Sequence, residues 1–168
     1  MRVVRNGRTG HYKCRCLQGH RNKAYETMCE TIGRDTTPIP GSSGLIKKVD
    51  LKYTSFKYAM FTIVFTGIWL KANTHLLIVQ TFGKNKFKDY DFKPYEERLK
   101  ALGIQDSTVL SRVKNFRNDR RELVHEKAFL DKGIRIAQKE AKRTFHLLCV
   151  LEPLLIKKGK GKTFPGDK

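Results

Sequence analysis

The sequence predicts an all-α protein, a four- to five-helix up-and-down bundle with an irregular basic N-terminal arm. Three observations predict it. The stretch from about Thr54 to Phe82 is apolar nearly all round and contains no turn signal, which is too long for a strand and suits a central bundle helix. Further helical segments follow it, punctuated by glycine, proline and aspartate at helix boundaries. Hydrophobic residues make up 39% and charged residues 30% of 168 residues, the balance of a globular chain long enough to bury one core.

Taken in order, residues 1–51 read as a basic arm and linker. Gly7, Gly10, Gly19 and Gly33 are scattered among single Arg and Lys residues, and apolar periodicity supports only a short helix around Lys23 to Ile32. The run Thr36-Thr37-Pro38-Ile39-Pro40-Gly41-Ser42-Ser43-Gly44 reads as a loop. Residues 52–156 form the bundle. Its first helix closes at Gly83-Lys84-Asn85-Lys86. Pro94 suits the first turn of a short helix running to Leu102, and Gly103 ends it. Asp106 or Ser107 caps a third helix, whose apolar residues Val109, Leu110, Val113, Phe116 and Val124 lie close to one stripe. A fourth runs from about Asp131 to Ile156, with Ile134, Ile136, Ala137, Ala141, Phe145, Leu148 and Leu151 facing inward. Residues 157–168 form a basic flexible tail. Connections this short favour antiparallel neighbours.

Charge points to a partner. Thirty-five Lys and Arg against 16 Asp and Glu leave a formal net charge of +19. Self-repulsion at that level opposes compaction, so the excess implies a polyanion, with nucleic acid ahead of an anionic membrane surface. A membrane span is not expected, because the longest apolar run, Tyr58 to Leu70, stops at Lys71 well short of about 20 residues. Cysteines at 14, 16, 29 and 149 are too sparse for a disulfide scaffold, and no cleavable leader is evident, so a reducing cytoplasm is expected. His11, Cys14, Cys16, His20 and Cys29 are zinc-ligand types. Cys-x-Cys with one distant Cys lacks the paired spacing of zinc fingers, so neither metal nor cofactor is expected.

The residues best suited to chemistry end the third helix, Asn115-Phe116-Arg117-Asn118-Asp119-Arg120-Arg121-Glu122-Leu123-Val124-His125. Arg117, Arg121 and His125 are each four apart and share a helical face, while Arg120 lies about 140° from His125. Arginine and histidine together suit RNA cleavage by the RNA's own 2′-hydroxyl. Imidazole takes the hydroxyl proton or protonates the leaving 5′-oxygen, and a guanidinium stabilises the phosphate as it gains charge. One histidine does not easily serve as both acid and base, which favours a two-fold dimer. The same residues also suit a solvated helix face with His125 at a helix C-terminus.

At these residues the chain resembles the HEPN superfamily (higher eukaryotes and prokaryotes nucleotide-binding domains), whose mark is Arg followed after four to six residues by His. Arg120 to His125 has that spacing, with four residues between. Upstream, Ile68-Trp69-Leu70-Lys71-Ala72, continuing through His75 to Leu77-Ile78, resembles the first helix of many prokaryotic members. The short helix Phe92 to Leu102 and the order of elements agree with it too. The resemblance spans about residues 52–156. It implies a dimerising helical bundle and a metal-independent endoribonuclease, with Arg120 holding the scissile phosphate, His125 moving protons, and Arg117 and Arg121 binding RNA. Such proteins act as toxins or in antiphage defence, so an antitoxin or regulatory protein joins RNA and a second copy among the expected partners. Some members are catalytically silent and bind only nucleic acid or a protein partner. A small basic RNA-binding protein outside any family is the remaining alternative. Arg121 stands where the family has Asn, Asp or His, Gly67 where first helices often carry Glu, and Lys127 where one toxin group has the tyrosine that accepts AMP.

Overall fold

The computed structural model describes residues 6–34, 36–47, 50, 52–124 and 137–159, with side chains of the first helix from Gln18 onward. It is an all-α bundle. Its helices are α1 (Asn6–Arg34), α2 (Thr54–Phe87), α3 (Tyr95–Ala101), α4 (Ser107–Val124) and α5 (Ala137–Gly159). A small antiparallel hairpin, β1 (Thr36–Pro38) and β2 (Leu45–Lys47), joins α1 to α2 with Thr37 opposite Ile46.

α2 is the axis of the bundle. Asp50 starts it, accepting hydrogen bonds from the backbone N–H groups of Thr54 (3.0 Å) and Ser55 (2.7 Å). Ala59, Ile63, Leu70 and Ile78 are fully buried along it. Thr62, Thr66 and Thr74 are buried as well, and each hydroxyl donates to the carbonyl four residues back (2.9, 2.7 and 2.8 Å). Polar side chains therefore enter the core without an unmet donor. Near its end, Gly83 adopts φ 86°, a left-handed value open to glycine, and interrupts the helical dihedrals. Phe87 then stacks on His75 at 3.7 Å, and burial pushes the His75 pKa down.

The boundary signals act as expected at α3 and α4. Pro94 caps α3, Gly103 (φ 77°) follows its end, and Asp106 accepts from the N–H groups of Thr108 (2.8 Å) and Val109 (3.0 Å). Val109, Leu110, Val113 and Phe116 of α4 face the core. Ala137, Ala141, Leu148 and Leu151 of α5 are buried, while Phe145 is half-buried against α1. Residues 131–136 of the expected fourth helix, with Ile134 and Ile136, lie outside the described residues, as does the tail beyond Gly159.

Two elements differ from expectation. The hairpin replaces part of what read as a loop, closed by Gly41 (φ 75°) and by Ile39 N–H donating to Gly44 O at 3.0 Å. The short helix expected near Lys23 to Ile32 extends back to Asn6, so much of the segment read as an irregular arm is helical. What holds it is mixed chemistry rather than an aliphatic stripe. Ala24 and Met28 are buried beside Arg21, which is only 2% exposed. The Arg21 guanidinium lies 5.0 Å over the Trp69 ring of α2 and 3.4 Å from Glu152 of α5. Gln18 also donates to Glu152, and Tyr25 stacks on Phe145 at 3.9 Å. Burial lowers the Arg21 pKa and the Glu152 carboxylate opposes that shift.

A cavity cut beside α2 should register across the whole bundle. Leu70 is 0% exposed, so Leu70→Ala is expected to lower unfolding free energy by about 2–5 kcal/mol in denaturant titration. Phe92 is 95% exposed, and Phe92→Ser should stay within about 0.5 kcal/mol of the parent.

Candidate functional site

The C-terminal half of α4 sets its arginines in different surroundings. Phe116 turns into the core, and Arg117 and Arg120, three residues apart, turn toward α3 and α2. Arg117 Nη2 lies 3.1 Å from Glu96 Oε1 of α3. Arg120 lies across α2 at Gly67, where a Cβ would stand 2.4 Å from its Nε and 2.7 Å from its Cδ. Any larger residue at 67 would displace that side chain. The Gly67 carbonyl also accepts a hydrogen bond from the Tyr95 hydroxyl of α3 at 3.3 Å. Gly67, Tyr95, Glu96, Arg117 and Arg120 thus form one junction between three helices.

Its polar groups are incompletely matched. Arg117 Nε, Arg120 Nε and Glu96 Oε2 are buried without a hydrogen-bond partner. Each such atom costs on the order of 1–3 kcal/mol, a cost also carried by Arg21 Nη1 and Arg98 Nη1, and three of the five such atoms among the described residues gather here. Arg120 is half-buried, and its stem is fixed by packing. A guanidinium held in this way suits a phosphate, which takes two parallel hydrogen bonds from the fork.

Of the four residues expected to act, the structure brings Arg117 and Arg120 to this junction. Arg121 is exposed. His125 follows directly on the last residue of α4 and lies outside the described residues. Arg117 and Arg121 stand four apart on α4, with Arg117 paired to Glu96, and the place of His125 on that face lies outside the described residues. Glu96, Tyr95 and Gly67 were not singled out by the sequence. A lone glycine in an apolar helix carries no signal until α4 is laid across it.

On the other flank of α4, a groove of about 930 Å³ runs between α4 and α5, with Arg112, Lys139, Lys142, Arg143 and His146 along its sides. The sequence reading missed these residues, although Lys139, Lys142 and His146 recur three and four apart on one helix.

In α1, His20 stacks on Phe65 at 5.9 Å and Cys29 is exposed, while the side chains of His11, Cys14 and Cys16 lie outside the described ones. Among the described residues, no group of three or more His, Cys, Asp or Glu side chains converges to hold a metal ion. Among the described residues one helix, α2, is long and apolar enough to cross a membrane by length and composition, and half of its most apolar window is buried in the bundle.

The Glu96–Arg117 pair should be coupled in stability. A double-mutant cycle of Glu96→Gln and Arg117→Met is expected to give an interaction energy of about 1–2 kcal/mol in denaturant titrations, since the carboxylate is only 13% exposed. Single changes that add to within about 0.5 kcal/mol would mean the contact contributes nothing.

No family model matches this chain, and no curated protein and no solved structure matches it, so the residues themselves carry the functional reading.

Proposed function

We propose that this chain is a metal-independent endoribonuclease of the HEPN type, working in the cytoplasm as a homodimer. In this reading it is a toxin or antiphage effector, held in check by an antitoxin or regulatory protein. One observation carries most of the weight. Arg120 is half-buried at the end of α4, seated on Gly67 with its Nε unpaired, five residues before His125. The net charge of +19 supports RNA as the substrate.

In the proposed reaction, His125 takes the proton from an RNA 2′-hydroxyl. The oxygen attacks the adjacent phosphorus, and the P–O bond to the 5′-oxygen breaks. The partner's copy of the same histidine, as imidazolium, returns a proton to the leaving oxygen. Arg120 stabilises the charge that gathers on the phosphate oxygens. The products are a 2′,3′-cyclic phosphate and a 5′-hydroxyl, and no metal enters the scheme. Arg121, exposed beside the site, binds neighbouring phosphates, and Arg117 does so only through the nitrogens that Glu96 leaves unused.

A silent module that binds RNA or a protein is the second reading. The commitment of Arg117 to Glu96 favours it, because a paired guanidinium is a poorer phosphate ligand.

Purified protein in EDTA is expected to cut RNA but not DNA, since only RNA supplies the internal nucleophile. His125→Ala and Arg120→Ala should each slow cleavage by roughly 10² or more. Arg121→Ala should mainly weaken binding. Both dead-site variants cutting at the parental rate would exclude the mechanism. Wild-type protein that binds RNA without ever cutting it would favour the silent module.

A further inference from the structure

We infer that the groove between α4 and α5 is a track for single-stranded RNA, with Arg112, Lys139 and Lys142 as its phosphate ligands. This rests on the reading that the chain binds RNA, and it adds a surface distinct from the Arg117–Arg120 junction.

The groove's composition selects a polyanion. Four cations line it, Arg112, Lys139, Lys142 and Arg143, against two carboxylates, Asp119 and Glu140. Glu140 Oε1 lies 2.8 Å from Arg143 Nη1, which neutralises that pair. Arg112, Lys139 and Lys142 form no ion pair among the described residues, so beyond the Arg143–Glu140 pair three cations and one carboxylate, Asp119, line the groove and leave it an excess of positive charge. The floor offers little to an apolar partner helix, because Phe116 and Leu147 are buried in the core. His146 is exposed on the α5 side and presents a flat ring on which a base can stack.

Shape selects a single strand. Arg112 to Asp119 and Lys139 to His146 are each eight residues, seven helical rises, so both walls are about 10 Å long. Helices packed about 8–10 Å apart leave a furrow that admits one backbone but not a duplex. Asp119 and Lys139 are the lining residues nearest in sequence to the segment that carries His125. A strand in the groove therefore follows α4, the helix that bears Arg120.

The test is anisotropy of a short fluorescein-labelled oligouridine with the full chain across a salt series. The triple variant Arg112→Ala, Lys139→Ala, Lys142→Ala is compared with a triple of equal charge loss elsewhere, Lys52→Ala, Lys57→Ala, Lys100→Ala. The groove triple should bind roughly 10-fold or more weaker than the control triple. Its slope of log affinity against log salt should fall by about 2, three phosphate contacts at about 0.7 each. If its thermal melt departs from that of the parent, Lys142→Ala alone serves, with an expected slope change of about 0.7. Wild-type binding that both triples weaken equally overturns the groove while leaving RNA binding intact. A groove triple that keeps RNA affinity but sediments as a smaller species also overturns it, and assigns the groove to a second copy of the chain. Wild-type protein that does not bind oligouridine at low salt overturns both readings.

Discussion

The fold depends on the need to cover α2. This helix is apolar over most of its circumference for nearly thirty residues, and water on any side of it would be costly. α1 and α5 close two of its flanks, and α3 and α4 cover its middle. Its threonines satisfy their own hydroxyls, so they ask nothing of the neighbours that bury them. Cover is incomplete at Phe61 and Ile68, which remain exposed.

The cover is not uniformly apolar, and its charged points are informative. At Trp69, α1 contributes the Arg21 guanidinium, stacked on the ring and tied to Glu152. That arrangement anchors α1 to the bundle, although Arg21 Nη1 is buried without a hydrogen-bond partner. At Gly67, α4 contributes Arg120, and there two buried guanidinium nitrogens are unpaired and one carboxylate oxygen is unmatched. A helix interior normally favours Ala over Gly by about 0.5–1 kcal/mol. Glycine here forgoes that gain, and the space it leaves is occupied by a guanidinium stem. Under the proposed reading, this is how the bundle fixes a phosphate-binding group without a loop to hold it.

Much of the bundle was legible because its signals are local. A stretch apolar nearly all round marked α2, apolar stripes marked α4 and α5, and Pro94, Gly103 and Asp106 marked the boundaries of α3 and α4. α1 was legible only in its second half, since Arg21 over Trp69 and Tyr25 on Phe145 are contacts between distant segments that leave no periodic trace. The same applies to the candidate site. The spacing of Arg120 and His125 can be read from sequence, but Arg117 pairing with Glu96 and Arg120 resting on Gly67 require three helices to meet. The α4–α5 groove needed two helices side by side before its lysines and arginines could be seen as one surface.

If Gly67 positions Arg120 for RNA cleavage as proposed, a methyl group at position 67 should separate catalysis from stability. In Gly67→Ala the new methyl would meet Arg120 Nε at 2.4 Å, and the flexible side chain, not the backbone, must give way. Stability should therefore stay within about 1 kcal/mol of the parent, helped by alanine's helix propensity. RNA cleavage should nonetheless fall by roughly 10², the scale of a displacement of about 1 Å in a catalytic group. A Gly67→Ala protein as stable as the parent, cutting RNA at the parental rate, would contradict the account.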